Sequence, residues 1–392
     1  MAHPLAVALV PWLATLLVPW HAAAAKPPPS VVFSEHLISD DYTYAYGLGA
    51  ADLDGDGDVD LTSADTTGHR VFWFENDGSG TFERHLVRDM GDGWPERHVV
   101  VDLDQNGTLD VVVVDHFNWS ILWFENDGTP GGAPWDVHAV TAANMPHAYD
   151  VDVTDIDADG DLDVFASAYV GNELAWFENP GDPFVAEWVK HQIDVGEESR
   201  TVRAADFDGD GDADLLGGMV GDGLYWYENL GPPALQWPRH TIKRGLGPVH
   251  GEPFDIDLDG DLDVVMASYR SNGYPKWPGA VTWYENRPGK PFRGHRVAAK
   301  YLGAFEAVAG DLDDDGDVDV AATAWGTGSL TWWENQGNDR RWLERELAPG
   351  FFRGNSVLLR DLDGDDRLDI VACAEIGNNT LRWWRNEGPP LP

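Results

Sequence analysis

A nine-residue acidic pattern, D-x-D-x-[DN]-G-x-x-D, recurs seven times and sets the terms for any fold this chain can adopt. The copies begin at Asp52, Asp102, Asp155, Asp206, Asp255, Asp311 and Asp361, at intervals of 50, 53, 51, 49, 56 and 50 residues. A period of this size marks an array of supersecondary units that bury their apolar faces against one another. Each acidic run is followed by Trp-aromatic-Glu-Asn, 20 to 22 residues on in six copies: Trp73–Asn76, Trp123–Asn126, Trp176–Asn179, Trp226–Asn229, Trp332–Asn335 and, with Arg385 in place of Glu, Trp383–Asn386. In the fifth unit the motif (Trp283–Asn286) arrives 28 residues on, which predicts an insertion. A third element, aromatic-x-x-His-x-aliphatic, places His36, His85, His138, His191, His240 and His295 in register, with Arg345 in the seventh copy.

Each unit reads as four short strands: A runs into the acidic loop, an apolar B leaves it, C carries Trp-aromatic-Glu-Asn, and D carries the His. Four-stranded units repeated radially make an all-β, seven-bladed β-propeller, which protects its strand edges. A D-type strand comes first in the chain and a C strand comes last. The strand at 31–38 is therefore expected to complete the last blade, 354–386, and close the ring. Residues 31–388 form the single propeller, preceded by an export signal over 1–25 and a Pro-rich lead-in over 26–30.

The acidic loops read as cation sites. Ca²⁺ takes six to eight oxygen ligands in flexible geometry. Asp at positions 1, 3 and 5 brings three carboxylates to one point, Gly at 6 permits the turn, position 7 offers a carbonyl and Asp at 9 completes the shell. The candidates are Asp52, Asp54, Asp56, Asp58 and Asp60; Asp102, Asp104, Asn106 and Asp110; Asp155, Asp157, Asp159, Asp161 and Asp163; Asp206, Asp208, Asp210, Asp212 and Asp214; Asp255, Asp257, Asp259, Asp261 and Asp263; Asp311, Asp313, Asp315, Asp317 and Asp319; and Asp361, Asp363, Asp365 and Asp369. A lone loop of this kind is a solvated acidic turn. Seven of them, each with three or more carboxylates in nine residues, repel too strongly to stand without counterions. The expected complement is up to seven Ca²⁺, one per blade. Asp366 stands where Gly is expected, which makes the seventh loop the weakest or most strained of the cation sites.

These loops and strands resemble the FG-GAP/VCBS repeats of integrin α-subunit propellers and of many secreted microbial and fungal proteins. The resemblance covers about residues 31–388. It implies a calcium-binding, seven-bladed propeller with the metal between strands A and B. It implies less about the ligand, since lectins, adhesion modules and propeller parts of some carbohydrate lyases share such repeats.

The chain has 392 residues, with 26 Lys+Arg against 68 Asp+Glu, for a formal charge of −42. Seven Ca²⁺ would reduce that to −28. The acidity excludes a nucleic-acid binder, which needs basic patches. Residues Leu5–Val18 are almost wholly apolar and lead into Ala22–Ala25, the pattern of a signal peptide. No later stretch is long and apolar enough to span a bilayer. The expected protein is secreted and monomeric, and the single cysteine, Cys373, reads as a buried structural thiol. Asn118-Trp-Ser120 and Asn378-Asn-Thr380 are glycosylation sequons.

No nucleophile motif is present, so no catalytic residue is assigned. The ligand candidates are residues that do not repeat. Tyr269, Tyr274 and Trp277 belong to the fifth unit's insertion, where aromatics beside amides and charges suit stacking on a sugar. His98, His147 and His250, with Arg200, Glu252, Glu306 and Asn355, sit near the starts of A strands and would line a polar mouth on the face away from the acidic loops. The expected function is a lectin-like binding module for a glycan or an extracellular protein. A carbohydrate-active lyase or dehydratase at the axial mouth, or a scaffold without a small ligand, are the alternatives.

Overall fold

The computed structural model describes residues 30–390, except 133, 186, 233–234, 246, 270–278, 338–340 and 376. Among these residues, 28 strands form seven four-stranded antiparallel sheets, and there is no helix. In six sheets the strands follow chain order. The first blade is A (Ala45–Ala51), B (Asp60–Asp65), C (Arg70–Asn76) and D (Phe82–Asp89). The A strands of successive blades lie side by side around a central axis, and the D strands form the rim.

The B strands explain why the repeat has no alternating pattern. Every residue of Asp110–Asp115, with its run of four valines, is buried, and the same holds for Asp319–Ala324 and Asp369–Ala374. Each such strand is covered on both faces by neighbouring blades, so both faces are apolar. D strands such as Phe82–Asp89 are mostly exposed and carry the charged side chains.

The Trp of the C strand is the wedge between blades. Trp73 packs with Val111, Val113, Phe124 and Trp135 of the next blade, and Trp123 with Val164, Ala166, Phe177 and Trp188. The His of the adjacent D strand covers the indole: ring centroids lie 4.5 Å apart for Trp73–His85 and 4.2 Å for Trp226–His240. Its Nε2 meets the Glu of the same C strand, at 2.8 Å for His85–Glu75 and 2.7 Å for His191–Glu178. The repeated His is thus structural.

The final Asn of the C strand ties blades together. Asn126 Nδ2 donates to the Leu53 carbonyl in the preceding blade's acidic loop, Asn229 to Ile156, Asn286 to Phe207 and Asn76 to Leu362. The last of these joins the first blade to the seventh. The ring is also closed by strand pairing. Phe33–Ser39 lies antiparallel on Thr380–Asn386, with Phe33 opposite Asn386 and His36 opposite Trp383. His36 stacks on Trp383 at 4.9 Å, reproducing the rim contact of the other blades.

Removing residues 31–38 strips this outer strand and bares the edge of Thr380–Asn386. The truncated protein should melt well below the full chain in scanning calorimetry; an unchanged melting temperature would show that strand pairing does not hold the ring shut. Asn229→Ala leaves the Ile156 and Ala213 carbonyls without their donor and should cost about 1–3 kcal/mol in denaturant unfolding.

Candidate functional sites on the two faces

Each acidic loop is curled by its own carboxylates. In the first, Asp52 accepts the Gly55 and Gly57 N–H groups at 2.8 and 3.0 Å, Asp54 accepts Asp56 N–H, and Asp56 accepts Asp58 N–H. Gly57 has φ 102°, a conformation closed to other residues. Carboxylate oxygens of Asp52, Asp54 and Asp60 come within 4.8 Å of one another, and the same grouping occurs at Asp102/Asp104/Asp110 and Asp155/Asp157/Asp163. Asn106 keeps its oxygen in the second loop, where it accepts from Thr108.

The aspartate at position 9 has a structural task that the sequence does not reveal. Asp60 is buried, and its two oxygens accept Leu53 N–H at 3.0 Å and Asn76 N–H at 2.8 Å. The same pair of bonds recurs at Asp110, Asp163, Asp214, Asp263, Asp319 and Asp369. Each oxygen retains a second lone pair for a cation. Burial pushes these carboxyls up, Asp60 to about 6 and Asp110 to about 7, so without a counter-charge the fold resists their ionisation. Buried Oδ1 atoms of Asp157 and Asp311 meet no hydrogen-bond donor among the described residues. An all-oxygen donor set with unsatisfied carboxylates fits a hard divalent cation, whose charge would offset the crowding.

The opposite face is built differently. A cup of about 260 Å³ opens at the end of the axis, walled by Tyr44, Tyr46, Tyr149, Tyr169, Tyr269, Phe305 and Trp325, with Glu96, Glu375, His116 and Arg200 among them. Arg200 is set among three rings, 5.3 Å from Tyr149, 4.8 Å from Tyr169 and 5.7 Å from Tyr269. The Tyr46 and Tyr149 hydroxyls share a hydrogen bond of 2.9 Å. Glu375 accepts from Trp325 Nε1 and Tyr44. Glu96 Oε2 is buried without a hydrogen bond, 3.5 Å from His116 Nδ1. Desolvation, and next the Glu375 charge, push the Glu96 carboxyl to about 8. His116 is held low, at about 4, mainly by burial. The His116 ring nitrogens meet the Ala148 carbonyl (Nδ1, 2.9 Å) and His147 Nδ1 (Nε2, 3.1 Å). At the rim, Phe117 and Trp119 are exposed beside His147.

Beneath the cup, the axis encloses a charged cavity of about 650 Å³ lined by Arg97, Arg203, Arg360, Asp150, Asp152, Glu252 and Glu306. Arg97 pairs with Glu306 at 2.5 Å, Arg203 with Asp150 at 2.8 Å, and Asn355 Nδ2 donates to the Ala45 carbonyl. Cys373 is buried and its Sγ donates to Asn355 Oδ1, a structural thiol as expected.

The structure divides the ligand candidates. Tyr269 and Arg200 wall the cup, and His147 stands at its edge. His98 and His250 do not reach it: His98 is buried against Thr62 Oγ1, and His250 lies enclosed between Tyr149 and Phe305. Glu252 and Glu306 face the axial cavity. Tyr274 and Trp277 lie outside the described residues.

Most cup residues escaped sequence reasoning, yet they obey a register. Tyr46, Glu96, Tyr149, Arg200 and Phe305 each stand six residues before the first Asp of their loop. His116, Tyr169, Tyr269, Trp325 and Glu375 each stand six residues after the ninth. Different chemistry at one repeated position is the signal that could have found them.

The profile of the FG-GAP-like repeat family matches residues 52–113, 102–166, 155–217, 255–322 and 311–372. No curated protein matches the chain in sequence. Among solved structures, BBS1N in complex with ARL6DN is similar at 12% identity and TM-score 0.53, over 91% of this chain and 96% of that one. XC5397 from Xanthomonas campestris, a gluconolactonase, is similar at 12% identity and TM-score 0.47, over 93% of this chain and 96% of that one. At these identities the first likeness shows the fold alone, and the second carries no argument.

Glu96 supplies a pH prediction. Its folded pKa, about 8, lies above its ordinary 4.5, so the stability it contributes is complete below about 4.5 and is lost as pH rises to 8. Glu96→Gln keeps the neutral form, so the variant's melting temperature should fall less than the parent's between pH 5 and pH 9. Parallel curves would contradict this.

Proposed function

Because the chain belongs to the FG-GAP-like repeat family and bears an aromatic, acid-lined cup at the end of its axis, we propose that it is an exported, calcium-stabilised propeller that binds a saccharide in that cup. Export is supported by the apolar Leu5–Val18 and the alanines that follow. Among the described residues no helix is long and apolar enough to cross a membrane.

The observation that carries the saccharide reading is the cup's composition. Flat rings of Tyr169, Tyr269 and Trp325 give faces for the C–H side of a sugar, and Glu375, Arg200 and the Tyr46–Tyr149 hydroxyl pair give fixed polar partners for its oxygens. Exposed Phe117 and Trp119 extend the apolar rim and would meet a second ring of an oligosaccharide. Tyr274 and Trp277, which follow Tyr269 in sequence, remain ligand candidates on composition alone. A protein ligand would need a wider apolar surface than a cup of this size.

One observation favours a second reading, chemistry on the bound sugar. Glu96 holds its proton near neutrality with one oxygen unengaged, beside the His116–His147 pair. Such a carboxyl can donate a proton to a leaving hydroxyl or glycosidic oxygen in a lyase or dehydratase.

A glycan array followed by calorimetric titration tests the proposal. Trp325→Ala and Tyr169→Ala should each weaken saccharide binding at least tenfold while leaving the melting temperature within a few degrees. Saccharide binding unaffected by both changes would reject the cup as the seat. If the bound sugar is also turned over, Glu96→Gln should abolish product and retain binding.

A further inference from the structure

We infer that the seventh acidic loop carries no metal ion and that two arginines hold its carboxylates together, so the protein takes six cations rather than seven. The inference rests on the cation reading of the other loops. In the other six blades, the third residue of the Trp-aromatic-x-Asn strand is glutamate. Its carboxylate accepts from the neighbouring rim strand, as at Glu125–His138 (2.8 Å), Glu285–His295 (2.6 Å) and Glu334–Arg345 (2.8 Å). It also faces the loop. The side chain at this strand position in the seventh blade reaches the loop's third carboxylate, which places the position beside the loop. Those six loops therefore add negative charge around a point where carboxylates already crowd.

The seventh blade reverses the sign. Arg385 replaces the glutamate, and its Nε lies 2.5 Å from Asp363 Oδ2, with Nη2 3.9 Å from Asp365 Oδ2. Position 7, which is Asp or Thr in the other loops, is Arg367 here; its guanidinium pairs with Asp365 and its Nε donates to the Asn386 carbonyl at 3.0 Å. The position-3 side chain, Asp363, is 3% exposed; neither of its oxygens accepts a hydrogen bond among the described residues, but the charge set against it is Arg385, a cation of the chain itself. A divalent ion entering there would meet two guanidinium groups on its own ligands.

The loop keeps its shape by other means. Asp366 replaces Gly at position 6 and adopts φ 65°, while its N–H still reaches Asp361 Oδ2 at 2.8 Å. The bonds from Leu362 and Asn386 N–H to Asp369 are intact. Three departures, Asp366 and Arg367 in the loop and Arg385 on the strand beside it, thus form one arrangement. That loop belongs to the blade completed by the N-terminal strand, where Arg382 also pairs with Glu35. The blade that closes the ring is the one that needs no cation.

Metal analysis of the full protein, dialysed against calcium and measured by plasma mass spectrometry, tests the inference. The expected count is six per chain, unchanged in Asp363→Asn and lowered to five in Asp54→Asn. Arg367→Asp with Arg385→Glu restores the residues of the other loops and should raise the count to seven. A count of seven in the parent, or a fall in Asp363→Asn, overturns the inference and leaves the calcium reading standing. A count of zero overturns both. A count from one to five shows that other loops are also empty and overturns the assignment to the seventh alone.

Discussion

The whole ring hangs on one repeated contact, the buried aspartate at position 9 and the asparagine that meets it. Asp110 accepts one N–H from its own acidic loop, at Leu103, and one from Asn126 at the end of strand C. The side chain of that same Asn126 reaches the Leu53 carbonyl in the preceding blade. A single carboxylate therefore fixes each loop to its blade, and at Asn76, Asn126, Asn229, Asn286 and Asn386 a single amide fixes the blade to its neighbour. Buried polar groups of this kind are costly unless fully satisfied, and here satisfaction requires the loop, the strand and the adjacent blade all to be in place. Stacking of Trp wedges supplies bulk apolar burial; the Asp–Asn contact supplies register.

The two faces follow opposite rules. On the acidic face the same side chains return with few departures, Asn106 in the second loop and Asp366, Arg367 and Arg385 in the seventh blade, because each loop solves the same problem of turning the chain. On the other face the positions return but the side chains differ. Tyr46, Glu96, Tyr149, Arg200 and Phe305 share one place in the register, and only their combination around the axis makes a cup. Sevenfold symmetry is thus used for the scaffold and abandoned for the site, with the Arg97–Glu306 and Arg203–Asp150 pairs filling the polar space between them.

This division also explains what could be read from the sequence. Blade number, strand order, ring closure by Phe33–Ser39 and the structural role of the rim histidines follow from repetition, which a single chain displays openly. The cup does not repeat, and its members lie up to 331 positions apart, from Tyr44 to Glu375, so proximity in sequence says nothing about them. His98 and His250 drew notice as unrepeated histidines, yet both are buried, away from the cup's wall. The pairing of Glu75 with His85 and the double duty of Asp60 were hidden for another reason: both depend on cross-strand register, which the motifs alone do not state.

On the proposed reading, the acidic loops are where charge is converted into stability, six cations standing in for the disulfides that a lone buried cysteine cannot form. The melting temperature in excess chelator, compared with that in calcium, tests this most directly. A large fall in chelator, reversed when calcium is returned, is the result the account requires. The same melting temperature in both would contradict it.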